Sequence, residues 1–264
     1  MIELSVSLVL LVVLLASAWA CLSVQHLLPE PHRSRETVEF VRLVNAMMVT
    51  FTALVLGLLI TSVKADFDGV GADVRGFSIQ IIELNRLLHD YGPDTAPERA
   101  LLREYTAAAI ATTWTEEKAP PGAQRPAPSP TDTGEENSAL GRMLEQIGRM
   151  LRGLQPSDPA QRLLAAQART RFESLMERRW RLIEDSSSQI SVPFYLVMVF
   201  WLVVIFASFG LSAPRNMLVY VTILLCAISI ASAVFVTLEM STPFGGFVTV
   251  SSAPMRDALA HVGG

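Results

Sequence analysis

The chain has 264 residues, of which 51% are hydrophobic and only 17% charged, with a mean hydropathy of +0.39. Soluble domains carry about 25% charged residues, so this composition excludes an ordinary water-soluble globular protein. A formal net charge of −4, without a basic helix or stripe, offers nucleic acid no attraction, and Cys21 and Cys226 sit inside apolar runs as buried hydrophobes, not as a disulfide or zinc pair.

The apolar residues fall in blocks. Crossing roughly 30 Å of hydrocarbon takes about 20 mostly apolar residues, and four stretches reach that length: 4–24, 43–63, 190–213 and 217–238. The first has no charge between Glu3 and His26, Asn45 is the only strongly polar residue of the second, and Glu239 closes the fourth. Lipid leaves bare backbone unsatisfied, so each stretch is predicted to be helical throughout. Met1 to Ser5 lacks the basic start of a secretory signal, and the first stretch is therefore read as a membrane helix. Arg33, Arg35 and Arg42 in the first short loop, and Arg215 in the second, put those loops in the cytoplasm by the positive-inside rule. The region between spans two and three is then extracytoplasmic, although Lys64, Arg75, Arg178, Arg179, Arg181 and Arg256 weigh the other way.

Composition changes abruptly over residues 64–189, which hold 16 Lys or Arg and 19 Asp or Glu. Phe67, Val70, Val74, Phe77, Ile81, Leu84, Leu88 and Tyr91 alternate spacings of three and four, an unbroken heptad seam. No turn signal parts this seam from the second span. One helix is predicted from Leu43 to Tyr91, roughly 70 Å long at 1.5 Å per residue, with Gly69, Gly71 and Gly76 marking a bend or a close contact. The seam can pack within the chain or against copies of itself. Gly92-Pro93-Asp94 stops the helix, and Asp94 or Thr95 caps the next, which is predicted to run to about Glu117. Residues 119–134 hold five prolines and read as an exposed linker. Leu140, Leu144, Ile147, Leu151 and Leu154 mark another helix; Asp158-Pro159 opens a last one toward the third span, with Leu164, Ala168, Phe172, Leu175 and Leu182 on one face. Residues 1–63, 64–189, 190–239 and 240–264 are thus the expected blocks: two spans, a helical extramembrane domain, two spans, and a tail with a short helix.

No phosphate loop, Gly-x-Ser-x-Gly, His-Glu-x-x-His or cysteine pair with zinc spacing occurs. No enzyme, cofactor or metal site is predicted. Polar residues inside the spans carry more information. Thr50, Gly57, Thr61, Lys64 and Asp68 fall within about 60° of one another on a 3.6-residue helix, and Thr222, Cys226, Ser229, Ala233 and Thr237 share a face of the fourth span. Such faces serve helix packing or line a pore. In the second reading the candidate lining is Thr50, Gly57, Thr61, Lys64, Asp66, Thr237 and Glu239, the charged members lying at one membrane face.

Phe200-Trp201-Leu202-Val203-Val204-Ile205-Phe206-Ala207-Ser208-Phe209-Gly210-Leu211, then Ala213-Pro214-Arg215-Asn216, resembles a bacterial membrane-protein family, the domain of unknown function 4239, also called bestrophin-like. Leu238-Glu239, Pro243-Phe244, Gly246 and Val250 to Leu259 agree with it, as do Leu56-Gly57-Leu58-Leu59, Ser62-Val63-Lys64, Tyr91-Gly92-Pro93 and Leu101-Leu102-Arg103-Glu104-Tyr105. Asn85 stands where the family would have Asp. The resemblance implies likeness to bestrophins, pentameric anion channels with four spans per subunit and helical domains in the cytoplasm, the side opposite to that read from the loops. An all-α integral membrane protein of the bacterial inner membrane is expected, homo-oligomeric and related to channels or transport of small ions. The alternative is a non-catalytic scaffold or signalling protein that binds a partner through its helical domain. In the tail, Pro243 and the Gly245-Gly246 pair break the helix. Phe247 to Val250 is predicted as an extended segment or interfacial anchor, and Ser252 as the cap of a last helix, the whole sealing the bundle at the membrane surface or serving as a gate or docking segment.

Overall fold

The computed structural model describes residues 2–24, 35–125, 138–186, 192–214 and 216–263. Arg33 and Arg215 of the two short loops, the linker from 126 onward and Ser187-Ser188 lie outside the described residues. Eight α-helices are described: α1 (Ile2–Val24), α2 (Arg35–Tyr91), α3 (Ala96–Thr113), α4 (Ser138–Gly153), α5 (Pro159–Ser186), α6 (Val192–Ser212), α7 (Met217–Met240) and α8 (Ala253–Gly263), with a 3-10 turn at Pro93–Thr95. Among the described residues there is no strand. The helices α1, α2, α6 and α7 are each long and apolar enough to cross a membrane. The chain divides into two compact units, residues 1–65 with 189–241 and residues 66–188 with 242–264.

In the first unit α1 is the centre. Leu10, Leu14 and Ala18 bury against Met198, Leu202 and Phe206 of α6 and Ala227 and Val234 of α7. Gly210 makes the closest approach. A methyl group there would press on the Ala18 carbonyl, 2.9 Å from its carbon and 3.1 Å from the Ala18 Cα, which is how small residues bring membrane helices together. Asn216 opens α7 by accepting the Val219 amide through its side chain at 2.9 Å, a satisfied N-cap.

The second unit is organised by the seam. Val70, Val74, Phe77, Ile81, Leu84, Leu88 and Tyr91 are all buried, in one core with Leu102, Tyr105 and Ile110 of α3, Leu144, Ile147 and Leu151 of α4, Phe172 and Leu175 of α5, and Met255 and Ala258 of α8. The seam is therefore consumed within its own chain, which overturns its reading as a contact between copies. The helix stays regular through Gly69, Gly71 and Gly76; Gly76 marks a close contact, for the Arg178 guanidinium lies against it. Gly92, at φ +125°, ends α2 in a conformation other residues rarely adopt. Thr95 stands at the α3 N-cap but its hydroxyl turns back to the Leu88 and Gly92 carbonyls, and Gln161 donates to the Tyr91 carbonyl at 3.2 Å, so the Leu88 and Tyr91 carbonyls at the end of α2 are satisfied. Asn85 ties three helices: it accepts from Arg99 at 3.0 Å and donates to the His261 carbonyl at 3.4 Å.

Two expectations change here. Helix α3 ends at Thr113, not near Glu117, because Trp114 turns inward and Arg125 donates to the Ala111 carbonyl at 2.8 Å. The described start of the linker is accordingly folded back, with Pro120 buried. The tail from residue 242 onward belongs to the second unit. Val250 is buried, its carbonyl accepts the Trp114 indole N–H at 2.7 Å, and the Trp114 and Phe244 rings meet edge to face at 5.3 Å. Ser252 does not cap α8 through its hydroxyl, which donates to Glu117; Arg256 pairs with the same carboxylate at 2.8 Å and donates to the Lys118 carbonyl at 2.9 Å.

This clasp has a defined pH response. The Ser252 hydroxyl, and after it Arg256, hold the Glu117 carboxyl below its ordinary pKa. A value depressed in the folded state means the contribution is present above the unfolded value and is lost as pH falls through the folded one. Glu117 is 38% exposed, so solvent screens much of it. Amide protection factors in 253–263 are expected to drop below about pH 4, whereas Glu117→Gln should show the lowered protection already at neutral pH and no acid step. An acid step of equal size in both proteins would refute the assignment.

Candidate functional site

Helix α2 buries one side only within the first unit. Thr52 and Val63 are buried, and Leu56 and Leu59 pack on the α1–α6–α7 core; at 100° per residue these four share one face. Thr50, Gly57, Thr61 and Lys64 lie on the far side, roughly 150° away, and all four are exposed. In the second span's most apolar stretch only 6% of residues are buried, against 22–28% in the other three. An exposed line of hydroxyls ending in a lysine thus runs down a membrane helix on the side its own chain leaves uncovered. The hydroxyls of Thr50 and Thr61 donate to the Ala46 and Gly57 carbonyls at 2.9 and 2.8 Å. Their protons are satisfied, and the oxygens keep lone pairs facing outward.

The other candidates are placed differently. Thr237 is 3% exposed and Glu239 0%, both buried in the chain itself, and the Thr237 hydroxyl donates to the Ala233 carbonyl at 2.8 Å. Higher on α7, Thr222, Cys226 and Ser229 are exposed, so the face expected to be uniform passes from open to buried along its length. Asp66 is exposed and is the first residue of the second unit. The exposed line is consequently built by α2 alone.

One enclosure escaped sequence reasoning. A cavity of about 80 Å³ in the second unit is lined by Phe77, Tyr105, Trp114, Leu140 and Arg179 among others. Arg179 is 6% exposed, and burial pushes the Tyr105 hydroxyl up to about 12 against the opposing charge and hydrogen bond of Arg179. Arg178, Arg179 and Arg181 look alike as charges flanking a span. The signal separating Arg179 was its spacing of seven and four from Phe172 and Leu175, which puts it on the core face.

Residues 12–255 match the family described as the bestrophin-like domain. No curated protein matches the sequence. Among solved structures, crystal structures of single-substitution variants of a bacterial bestrophin homologue from Klebsiella pneumoniae share the fold. One superposes with a TM-score of 0.63 at 13% identity, covering 98% of this chain and 96% of that one. Two others reach a TM-score of 0.61, one at 13% identity with coverage of 97% and 98%, the other at 15% with 97% of each chain.

Proposed function

The chain belongs to the bestrophin-like family, and from that premise we propose that it forms a homo-oligomeric channel for small ions in the bacterial inner membrane. The observation that carries this reading is the uncovered side of α2, where Thr50, Gly57, Thr61 and Lys64 are exposed on the face opposite the packing side. Polar atoms in a span favour a water-filled path or another subunit over hydrocarbon. Symmetric assembly turns one such line into a ring of identical lines, with threonine oxygens available to ions and a collar of Lys64 at one end. From the basic first loop, the side assigned to the second unit is extracytoplasmic; a reporter fused after Gly264 that is active only in the cytoplasm would reverse it.

Purified protein in liposomes is expected to pass chloride or potassium, read by ion-sensitive dyes, and to migrate as an oligomer after cross-linking. Thr61→Trp should cut the flux at least about tenfold while leaving the oligomer intact, because an indole narrows a path about one side chain wide. Absence of flux at every pH and voltage, or full flux in Thr61→Trp, would refute the channel.

A further inference from the structure

A groove of about 680 Å³ lies in the first unit between α2 and the α6–α7 pair, and its wall includes Ala46, one turn before Thr50. Arg42 and Asn45 stand at one end, and Val49, Phe209, Leu218 and Ile223 are among the residues that make its apolar wall. Arg42 and Asn45 are three residues apart and therefore neighbours on one helix face. From Arg42 to Val49 the helix rises about 10 Å, so the groove starts at the membrane face where span two begins and runs into the hydrocarbon. The Asn45 amide oxygen is buried and accepts no hydrogen bond from the protein. A buried acceptor left unmatched is costly, and the residue that carries it lines a groove whose mouth holds Arg42.

We infer that this groove is a binding site for a bilayer glycerophospholipid whose headgroup carries both a phosphate and an N–H or O–H donor, as in phosphatidylglycerol and phosphatidylethanolamine. Arg42 takes the phosphate, with two N–H groups of its planar fork facing two phosphate oxygens. The headgroup hydroxyl or ammonium donates to the Asn45 oxygen. One acyl chain lies along Val49, Phe209 and Ile223. Charge complementarity selects the occupant: the groove offers a cation, an acceptor and an apolar trough in the order in which such a lipid offers an anion, a donor and a chain.

Native mass spectrometry of the purified oligomer, exchanged in turn into detergent with phosphatidylglycerol, phosphatidylethanolamine or phosphatidylcholine, tests this. Phosphatidylcholine keeps the phosphate and lacks any N–H or O–H. The wild-type protein is expected to retain the first two lipids at least about fivefold better than the third, the effect of matching one buried acceptor. Asn45→Leu should abolish the preference for phosphatidylethanolamine over phosphatidylcholine, two headgroups of equal net charge, while still retaining all three. Arg42→Gln should weaken retention of all three, with helical content by circular dichroism unchanged. Equal retention of phosphatidylcholine by the wild-type protein, or a preference for phosphatidylethanolamine over phosphatidylcholine that survives Asn45→Leu, overturns the site. Absence of bound lipid together with a cross-link from position 45 to a second copy also overturns it and assigns the groove to an interface. None of these outcomes depends on whether the protein conducts ions.

Discussion

Gly210→Ala is expected to destabilise the membrane bundle by about 1–3 kcal/mol, the cost of overpacking a site that cannot yield, and Gly210→Leu by more. The sign is what makes this informative. In a helix interior alanine is about 1 kcal/mol better than glycine, so propensity alone predicts a more stable protein. Opposing it, the added methyl would meet the Ala18 backbone, with the carbonyl carbon at 2.9 Å and the Cα at 3.1 Å. Backbone inside a packed helix cannot rotate aside as a side chain can. The whole α1–α6 contact has to open, and it carries Leu14 and Phe206, both 0% exposed. Thermal unfolding in detergent, followed by circular dichroism, should rank wild type above Gly210→Ala above Gly210→Leu. Gly57→Ala is the control, because nothing lies within 4 Å of the added group; it should be neutral or slightly stabilising in the isolated subunit. A melting temperature raised by Gly210→Ala would mean that α1 and α6 are not in contact there.

Trp114→Ala is expected to cost the second unit about 3–5 kcal/mol and to free the tail. Trp114 is 4% exposed, packs edge to face on Phe244 at 5.3 Å and donates to the Val250 carbonyl at 2.7 Å. Its loss removes a large apolar surface and leaves a buried carbonyl unmatched. Trp114→Phe separates the two contributions: most of the ring contact is kept, the N–H donor is gone, and the expected cost is about 1–3 kcal/mol. Hydrogen exchange read on peptides covering 243–262 should therefore rise strongly in Trp114→Ala and modestly in Trp114→Phe, with α1 and α6 unaffected. Tail peptides as protected in Trp114→Ala as in the wild type would show that the α8 contacts to α3, and the Arg256–Glu117 pair, hold it unaided.

The two results bear on function in different ways. If the first holds, α1, α6 and α7 form a tightly built support against which only one side of α2 rests, and the other side is left to lipid, water or a neighbouring copy. If the second holds, the segment that follows the last span is a structural part of the second unit and not a loose end.

Much of this was legible in the sequence because hydropathy and periodicity are local. Four apolar stretches of about 20 residues have the length of spans, and the three-four alternation from Phe67 to Tyr91 marks one buried face of a helix. The break at Gly92-Pro93 followed from backbone freedom and ring closure alone. The polar line on the second span was equally readable, since Thr50, Gly57, Thr61 and Lys64 keep helical register. Tertiary structure decided what each face meets. A heptad seam looks the same whether a copy or the chain's own α3, α4, α5 and α8 fill it, and here the chain fills it. Thr222 and Thr237 share one face of α7, so periodicity held no sign that Thr237 turns inward, with Glu239, while Thr222 stays open. Arg179 differs from Arg178 and Arg181 by its angle around α5, and its spacing of seven and four from Phe172 and Leu175 gained meaning once the packed core fixed that face as the inner one. The tail's destination, the Gly210–Ala18 contact and the Arg42–Asn45 groove each join residues far apart in the chain, and pairings at that distance leave no mark on local pattern.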